Sequence, residues 1–399
     1  MSDLNVKVGL IGKFDMLKFK NMSKVREKAI QAAPAKEISG VFPVNENAKA
    51  LHPDFLELEI ERIIERNAAK TFVFKGVNGK PLPYFRAGQY ISLKLPMDGS
   101  LVTRSYSLCS SPKEALSGKY AITVRANPGG FVADRLLSEK KIGDRIIASA
   151  PQGFFYYEDL RDKKQVIGLA GGSGITPFLS MARAICDGIE DFELTLLYGS
   201  RTEADILFRG ELDEIARVCP KFKVVHVLSD EEKEGFEHGF ITAELIKKYA
   251  PEGEYSVFMC GPKAMYTFGE AQCRKLGLPK RLYRMEMSGD YMGIVNHPDY
   301  PKDQIGQTYS LTVDIRGEKT VIPCKADESL LWAMERAGIN APSHCRSGEC
   351  GWCHSRLVKG EVFIPADADG RRLGDIRFNW IHPCVSFPLS DVELLVFPT

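Results

Sequence analysis

The cysteines are the feature that most restricts how this chain can fold. Four of the ten lie between Cys345 and Cys384, and the other six are scattered singly through the sequence. The first residues, MSDLNVKVGLIGKFDML, lack the charged, apolar and small-residue segments of a secretory leader. In a chain of 399 residues with this composition, a tight cysteine cluster indicates a metal site and not a disulfide framework.

The spacing within the cluster is specific. Cys345, Cys350 and Cys353 follow a C-x4-C-x2-C pattern, and Cys384 comes later in the chain. This is the plant-type ferredoxin spacing for a [2Fe–2S] cluster. One tight loop can supply three thiolates if small residues let the backbone fold around the cluster, and a distant strand can supply the fourth. The sequence therefore predicts these four cysteines as iron ligands.

Two other metal sites compete with this interpretation. A structural zinc site can also use four cysteines. A Rieske centre needs two histidine ligands, and His344, His354 and His382 flank the cysteines. None of them stands in a Cys-x-His pair with a second Cys-x-x-His. We therefore interpret the three histidines as bystanders.

Charge and hydropathy exclude several function classes. The chain has 53 basic and 52 acidic residues and a net charge of +1, whereas nucleic-acid binders usually carry a basic excess. The sequence contains no apolar run as long as the roughly 18 residues that a membrane span needs. We expect a cytoplasmic protein with no membrane span and no nucleic-acid partner.

The pattern of elements predicts several domains. Short β-branched runs between Gly, Pro and Asn turns predict an antiparallel barrel of about six strands. Strands then alternate with helices, which predicts an α/β, doubly wound parallel sheet. An N-terminal extension precedes both, with a short basic helix expected at 22–33 and a turn-rich stretch after it. The predicted boundaries are 1–50 for the extension, 51–158 for the barrel, 159–288 for the α/β domain, 289–308 for a linker and 309–399 for a last domain.

The barrel carries groups that suit a flavin. RSYSL, residues 104–108, lies on a predicted strand. Its arginine can neutralise a phosphate, its tyrosine can pack on the isoalloxazine ring, and its second serine can reach N5. The later turn NPGGFVA leads into a helix N-terminus, which suits a pyrophosphate. An ordinary sheet surface is the alternative. The expected flavin contacts are Arg104, Ser105, Tyr106, Ser107, Gly129 and Gly130.

The α/β domain carries a nucleotide motif. LAGGSGITP, residues 169–177, joins the first strand to the first helix, so that backbone N–H groups and the helix dipole can meet a diphosphate. CGP, residues 260–262, ends a later strand, where ligands bind in such sheets. The turn would present Cys260 to a nicotinamide, although a buried cysteine can also be a small core residue. The expected nucleotide contacts are Gly171, Gly172, Gly174, Thr176, Ser200, Arg201, Cys260, Gly261 and Pro262.

Together these motifs resemble the ferredoxin–NADP reductase superfamily over residues 55–399. RSYSL matches R-x-Y-[ST], GGSGITP matches G-G-x-G-I-T-P, and CGPKAM matches C-G-P-x-x-M. The resemblance implies an FAD-binding barrel, an NAD(P)-binding domain and a C-terminal β-grasp α+β ferredoxin domain, as in reductases of ring-hydroxylating and phthalate-type oxygenases and of hybrid-cluster proteins. It also implies hydride transfer from nicotinamide C4 to flavin N5. Ser107 would assist near N5, Cys260 would lie beside the nicotinamide, and Glu286 would lie near the flavin.

Two cofactor choices stay open. The GGFVADRL turn and the PQGF segment at 151–154 resemble members that bind FAD, whereas phthalate-type relatives use FMN, and we expect FAD. Arg201 could pair with the 2′-phosphate of NADPH. Members that use NADH carry similar Arg-Thr sequences, and between the two we favour NADH.

The expected function is an NAD(P)H:acceptor oxidoreductase. A nicotinamide donates two electrons at once and a [2Fe–2S] cluster takes one, so a flavin is needed between them. We expect electrons to reach a partner redox protein, such as an oxygenase or another metalloenzyme, that docks around Arg346, Ser347 and Trp352. The alternatives are a self-contained reductase of a small molecule and an electron-transfer subunit of a larger redox complex.

Overall fold

The computed structural model describes residues 10–33, 42–51, 53–97, 99–126, 132–286 and 289–397. The chain divides into two compact units, Met1–Ala48 and Lys49–Thr399. Gly129 and Gly130 lie outside the described residues. Among the described helices none is both long and apolar enough to cross a membrane.

Helices α1 (Leu10–Ala32) and α2 (Pro43–Leu51) form the described part of the N-terminal region. The predicted basic helix therefore extends back to Leu10. The turn-rich interpretation of the next stretch is wrong from Pro43 onward. A proline is favourable in the first turn of a helix, and Glu46 near the start and Lys49 near the end complement the helix dipole.

The first domain of the larger unit is the predicted antiparallel barrel. Its sheet has the order β4-β3-β6-β1-β2-β5, and a bridge between Leu108 and Ile122 joins the two edges. Phe72 and Phe74 of one strand point into the barrel core, and Val73 packs against the α/β domain instead. The elements are β1 (Leu56–Arg66), β2 (Ala69–Gly76), β3 (Tyr90–Met97), β4 (Ser100–Ser107), α3 (Pro112–Leu116), β5 (Lys119–Arg125), α4 (Ala133–Glu139) and β6 (Arg145–Ala148).

The second domain is the predicted doubly wound α/β fold. Its parallel strands have the order β10-β9-β8-β7-β11-β12. The chain leaves β7 toward β8 on one side and returns to β11 on the other, so the loops after β7 and β11 border the crevice where ligands bind in such sheets. The elements are β7 (Gln165–Gly171), α5 (Thr176–Cys186), β8 (Glu193–Ser200), α6 (Arg209–Val218), β9 (Phe222–Leu228), β10 (Glu237–His238), α7 (Ala243–Tyr249), β11 (Ser256–Cys260), α8 (Lys263–Lys275) and β12 (Tyr283–Met285).

The third domain has the mixed sheet of a β-grasp fold. Its order is β14-β13-β19-β15-β17, with β13 and β19 parallel and the other pairs antiparallel. Helix α9 packs its apolar residues into the core of this sheet. The elements are β13 (Thr308–Ile315), β14 (Glu318–Lys325), α9 (Leu330–Arg336), β15 (Ser355–Lys359), β16 (Val362–Phe363), α10 (Leu373–Arg377), β17 (Trp380–Ile381), β18 (Phe387–Pro388) and β19 (Val392–Val396).

The segment between the second and third domains is packed. Ile294 and Tyr300 are buried together with Phe387 of the third domain. The Tyr300 hydroxyl donates a hydrogen bond to the carbonyl of Ala326 at 2.8 Å. This segment therefore belongs to the body of the molecule, and its first residues reach the site described next.

Candidate functional site

The four clustered cysteines meet in the third domain as two pairs. The Sγ atoms of Cys353 and Cys384 lie 3.4 Å apart. The Cys350 thiol hydrogen bonds to the Cys345 sulfur. A [2Fe–2S] cluster takes two thiolates on each iron, and this pairing provides them. Within the described chain no group of three His, Cys, Asp or Glu side chains is arranged around a single metal ion.

Backbone N–H groups of the loop point at the sulfurs. Those of Ser347 and Cys350 donate to the Cys345 sulfur at 3.5 and 3.4 Å, and that of Trp352 donates to the Cys350 sulfur at 3.5 Å. Hydrogen bonds from the Cys350 thiol, the Ser347 hydroxyl and the N–H groups of Ser347 and Cys350 hold the pKa of Cys345 well below its usual range. The loop therefore stabilises a thiolate, the form that binds iron.

Tight packing of the loop depends on Gly348. Its φ is +85°, and a Cβ on it would lie 2.1 Å from the carbonyl oxygen of Ala368. Any side chain there would push the loop away from the segment that follows β16. This explains why a glycine stands inside the predicted ligand loop.

The three flanking histidines have other surroundings. The His382 ring nitrogen Nδ1 lies 2.6 Å from the Gly348 carbonyl oxygen, and His354 Nε2 lies 2.9 Å from an Asp375 carboxylate oxygen. The His344 ring packs 4.3 Å from that of Trp352, and burial lowers its pKa to about 4. These contacts position two of the rings through groups other than a metal.

Arg346 is not where the sequence analysis placed it. Only 1% of its surface is exposed, and its Nη atoms contact both Glu335 carboxylate oxygens at 2.5 and 2.9 Å. Its Nε contacts Asp290 at 2.5 Å, and the second Asp290 oxygen lies 3.1 Å from Arg104 of the barrel. Ser347 is also buried. Neither buried side chain can therefore contact an acceptor directly, since Arg346 belongs to an internal ion-pair network between the cluster loop and RSYSL. Trp352, the third residue of the predicted docking region, is 37% exposed, and docking near it stays a prediction.

A cleft of about 860 Å³ runs between the barrel and the α/β domain. It brings the barrel motif and both nucleotide motifs into one site. Arg104 and Glu286 are not among the described residues that line it. The predicted residues that do line it are Ser105, Tyr106, Ser107, Gly171, Gly172, Gly174, Thr176, Ser200, Arg201, Cys260, Gly261 and Pro262.

Two hydroxyl groups in the cleft are suited to a bound ligand. The buried Oγ atom of Ser105 has no hydrogen-bond partner within the described protein, and that of Ser200 has only the neighbouring Tyr198 hydroxyl. Leaving a buried hydroxyl unpaired costs about 1–3 kcal/mol. Ser105 lies on the barrel side and Ser200 at the end of β8, so a flavin and a nicotinamide dinucleotide would each find a polar partner.

The two nucleotide motifs pack directly against each other. A Cβ on Gly174 would lie 2.1 Å from the carbonyl oxygen of Cys260. Thr176 is the first residue of α5, and its hydroxyl donates to the Ser173 carbonyl at 3.1 Å. The backbone of the loop therefore reaches the strand end that carries Cys260 only because residue 174 has no side chain.

Replacing Gly174 with alanine should destabilise the α/β domain. The added methyl group must displace the Cys260 backbone, and such overpacking costs about 1–3 kcal/mol. Gly210 in α6 is the matched control, since a Cβ there meets nothing within 4 Å, and alanine in a helix is favourable by up to about 1 kcal/mol. Thermal unfolding followed by circular dichroism should show a lower midpoint for Gly174→Ala only. Equal midpoints would contradict the packing argument.

Cys260, which lines the cleft, has the buried Glu286 as a neighbour. Burial raises the pKa of the Cys260 thiol, and the nearby Glu286 raises it further. Burial likewise raises the pKa of the Glu286 carboxyl well above its usual range, with contributions from Glu349 and Cys345. The Glu286 Oε1 atom has no hydrogen-bond partner within the described chain. The Cys260 thiol therefore keeps its proton near pH 7, and burial favours the uncharged form of the Glu286 carboxyl.

Four residues of the site escaped the sequence analysis. Arg125 at the end of β5 lines the cleft and contacts Asp205 at 3.2 Å. The Tyr266 hydroxyl accepts the Gly261 N–H at 3.2 Å and donates to the Glu286 carbonyl. Asp290 contacts Arg346 of the third domain and Arg104 of the barrel. Asp230 accepts a hydrogen bond from Arg201 at 2.8 Å. Of these four, only Arg125 could have been found from the sequence, because it is a basic residue at the end of a barrel strand.

Family comparisons agree with this three-part site. Residues 58–157 match the oxidoreductase FAD-binding domain, residues 169–270 match the oxidoreductase NAD-binding domain, and residues 313–389 match the 2Fe-2S iron-sulfur cluster binding domain. The order is the predicted one. A flavin, a nicotinamide cofactor and a [2Fe–2S] cluster are therefore the cofactors of this fold.

Individual relatives share the whole arrangement. The reductase subunit of glycine betaine monooxygenase from Chromohalobacter salexigens is 27% identical over 82% of this chain and 90% of the relative. The ferredoxin reductase component of 3-ketosteroid-9-alpha-monooxygenase from Mycolicibacterium smegmatis is 31% identical over 84% of this chain and 95% of the relative. The solved structure of phthalate dioxygenase reductase superposes with a TM-score of 0.61 at 26% identity, over 86% of this chain and 98% of that one.

Proposed function

Because this chain belongs to the ferredoxin–NADP reductase superfamily, as an iron–sulfur flavoprotein reductase with a C-terminal [2Fe–2S] domain, we propose that its electron acceptor is the oxygenase component of a multicomponent system. The enzyme passes electrons from NAD(P)H through FAD and the cluster to that acceptor. The observation that carries the proposal is the pairing of four thiols in the same compact unit as the cleft that holds the barrel motif and both nucleotide motifs. Relatives named as reductase subunits of monooxygenases support the choice of acceptor.

The chemistry that a bound flavin supplies is the conversion of one two-electron donation into single-electron steps. The residues of the barrel bind and orient it. We assign the ring contact to Tyr106, a hydrogen bond near N5 to Ser107, and a further hydrogen bond to Ser105, whose hydroxyl lacks a protein partner. Arg125 and the turn at Gly129 and Gly130 would hold phosphate groups.

The residues of the α/β domain hold the nicotinamide nucleotide. The loop from Gly171 to Gly174 offers N–H groups to the diphosphate at the start of α5. Cys260 keeps its proton and packs as a small, neutral side chain beside the nicotinamide. Glu286 is buried near Cys260, where burial favours its uncharged form.

Asp230 supports NADH as the donor. Its Oδ2 atom lies 2.8 Å from Arg201 Nε. Arg201, the residue predicted to bind a 2′-phosphate, therefore already has a carboxylate partner. Asp230 follows the end of β9, and its carboxylate beside Arg201 can accept a hydrogen bond from a ribose 2′-hydroxyl and would repel a phosphate in the same place.

The variant Asp230→Ser should therefore change the choice of donor. Freeing Arg201 and removing the opposing charge should raise kcat/KM for NADPH about tenfold, which corresponds to ~1.4 kcal/mol, and lower it for NADH. Asp191→Ser is the control, because Asp191 is also paired with exposed cations but precedes β8, at the opposite end of the sheet. Unchanged selectivity in Asp230→Ser would remove the argument for NADH.

The acceptor itself can be identified by copurification. The tagged chain should retain, from its native host, an oxygenase component that it reduces with NADH in the purified state. Rapid turnover of a small molecule by the purified chain alone, with no protein acceptor, would contradict this proposal and leave a self-contained reductase.

A further inference from the structure

We propose that the acceptor docks on one exposed face of the third domain, formed by Arg372, Leu373, Ile376, Arg377 and Phe378 and named here the α10 face, and that the docking partner presents an acidic surface. This inference rests on the proposed function, since it concerns the protein that receives the electrons. It replaces the docking site that sequence analysis placed around Arg346.

The α10 face is apolar and accessible. Leu373 is 87% exposed, Phe378 62% and Ile376 48%. They lie within one short helix and the residue that follows it, and Leu373 and Ile376, three positions apart, share one side of that helix. A concentrated apolar patch with a polar rim is the usual sign of a protein-binding surface.

The rim of the α10 face is positively charged. Arg372 and Arg377 are exposed, and within the described chain neither guanidinium pairs with a carboxylate. The two nearest acidic groups are already occupied. Asp369 pairs with Arg371, and Asp375 accepts hydrogen bonds from His354 and from the Arg372 N–H. Asp375 keeps its own charge on α10, so residues 372–378 carry two arginines against one carboxylate, a net charge of +1 that complements an acidic partner.

The α10 face lies against the cluster loop. A Cβ on Gly370 would fall 2.4 Å from the Gly348 carbonyl oxygen and 3.1 Å from the Glu349 Cα atom, so the chain that enters α10 touches the loop next to Cys350. Cys350 is itself exposed. On the other side, His354 directly follows the ligand Cys353 and contacts Asp375 inside α10. A protein bound on the α10 face would thus lie close to Cys350, the exposed ligand of the iron–sulfur cluster.

The test uses the holoenzyme with NADH and two protein probes of opposite charge. Cytochrome b5 is an acidic one-electron acceptor, and cytochrome c is a basic one. At about 10 mM ionic strength, where charges act over ~30 Å, the double variant Arg372→Glu/Arg377→Glu should lower the rate constant for cytochrome b5 reduction at least ~10-fold and raise that for cytochrome c. Both differences should shrink as salt is added.

A matched control separates local from global charge. Lys247→Glu/Lys275→Glu changes the net charge by the same amount on exposed positions of the α/β domain and should leave the ratio of the two rates near that of the wild type. A third variant, Leu373→Ser/Phe378→Ser, keeps the charges and should slow cytochrome b5 reduction at every ionic strength.

Stopped-flow absorbance of the flavin and the cluster in every variant identifies which idea has failed. If NADH does not reduce the cluster in the wild type, the proposed function is wrong. If the cluster is reduced normally but Arg372→Glu/Arg377→Glu and Lys247→Glu/Lys275→Glu give the same ratio of cytochrome rates, only the proposal for the α10 face is wrong. It is also overturned if sedimentation shows a wild-type dimer that Leu373→Ser/Phe378→Ser dissociates, because the face would then bind a second copy of the chain.

Discussion

Replacing Cys350 with serine should abolish electron delivery to a protein acceptor while NADH still reduces the flavin. Cys350 belongs to one of the two thiol pairs, and removing a ligand should exceed the ~10–100-fold loss that follows when only the surroundings of a metal ligand are altered. The cleft is lined by residues of the barrel and the α/β domain and by no cluster cysteine among the described residues. Hydride transfer should therefore be preserved.

The measurement is a pair of rates in each variant. Flavin bleaching by NADH is followed under anaerobic conditions, and reduction of a one-electron protein acceptor is followed at steady state. Cys186→Ser is the control, because Cys186 is exposed and lies at the end of α5 in the α/β domain. Acceptor reduction that persists in Cys350→Ser, or flavin reduction that disappears in a folded variant, would contradict the relay.

Glu335→Ala should destabilise the third domain more than any surface substitution. Glu335 and Arg346 are both buried and share two contacts at 2.5 and 2.9 Å. Removing one partner of such a pair leaves a buried charge that has lost much of its compensation, which costs about 3–5 kcal/mol. The visible absorbance of the cluster should be lost at a clearly lower temperature or denaturant concentration than in the wild type.

Glu328→Ala is the control for that prediction. Glu328 pairs with Arg336 near the same helix, but the Arg336 side chain is half exposed. Although Glu328 is itself buried, water still solvates the half-exposed Arg336 that the substitution would leave behind, so Glu328→Ala should cost less than Glu335→Ala. If the two variants lose the cluster at the same point, the network around Arg346 does not stabilise the third domain.

Most of the fold could be predicted because its signals are local. Alternating strands, Gly-rich turns and the cysteine spacing each lie within a few residues, and the matched domains follow in the predicted order. RSYSL, GGSGITP and CGP line one cleft. The two nucleotide motifs could be placed together from the sequence because strand ends in a doubly wound sheet border one crevice. The assignments of individual roles to Ser107, Cys260 and Glu286 stay predictions.

The remaining features depend on contacts between distant residues. The loop sequence CRSGEC gives no sign that Arg346 is buried, because its partners Glu335 and Asp290 lie 11 and 56 positions away. The Asp230 contact to Arg201 joins the ends of two strands 29 positions apart. Helix α2 was missed for another reason, since Pro43 and the polar residues around it are common in turns as well as in first helical turns.

The most direct test of the account is an anaerobic titration of the holoenzyme with NADH, with metal analysis of the same sample. An iron–sulfur flavoprotein reductase should show two irons and two acid-labile sulfides per chain, bleaching of the flavin absorbance and a paramagnetic signal from the reduced cluster. Zinc in place of iron and sulfide, or a cluster that stays oxidised while NADH is consumed, would contradict it.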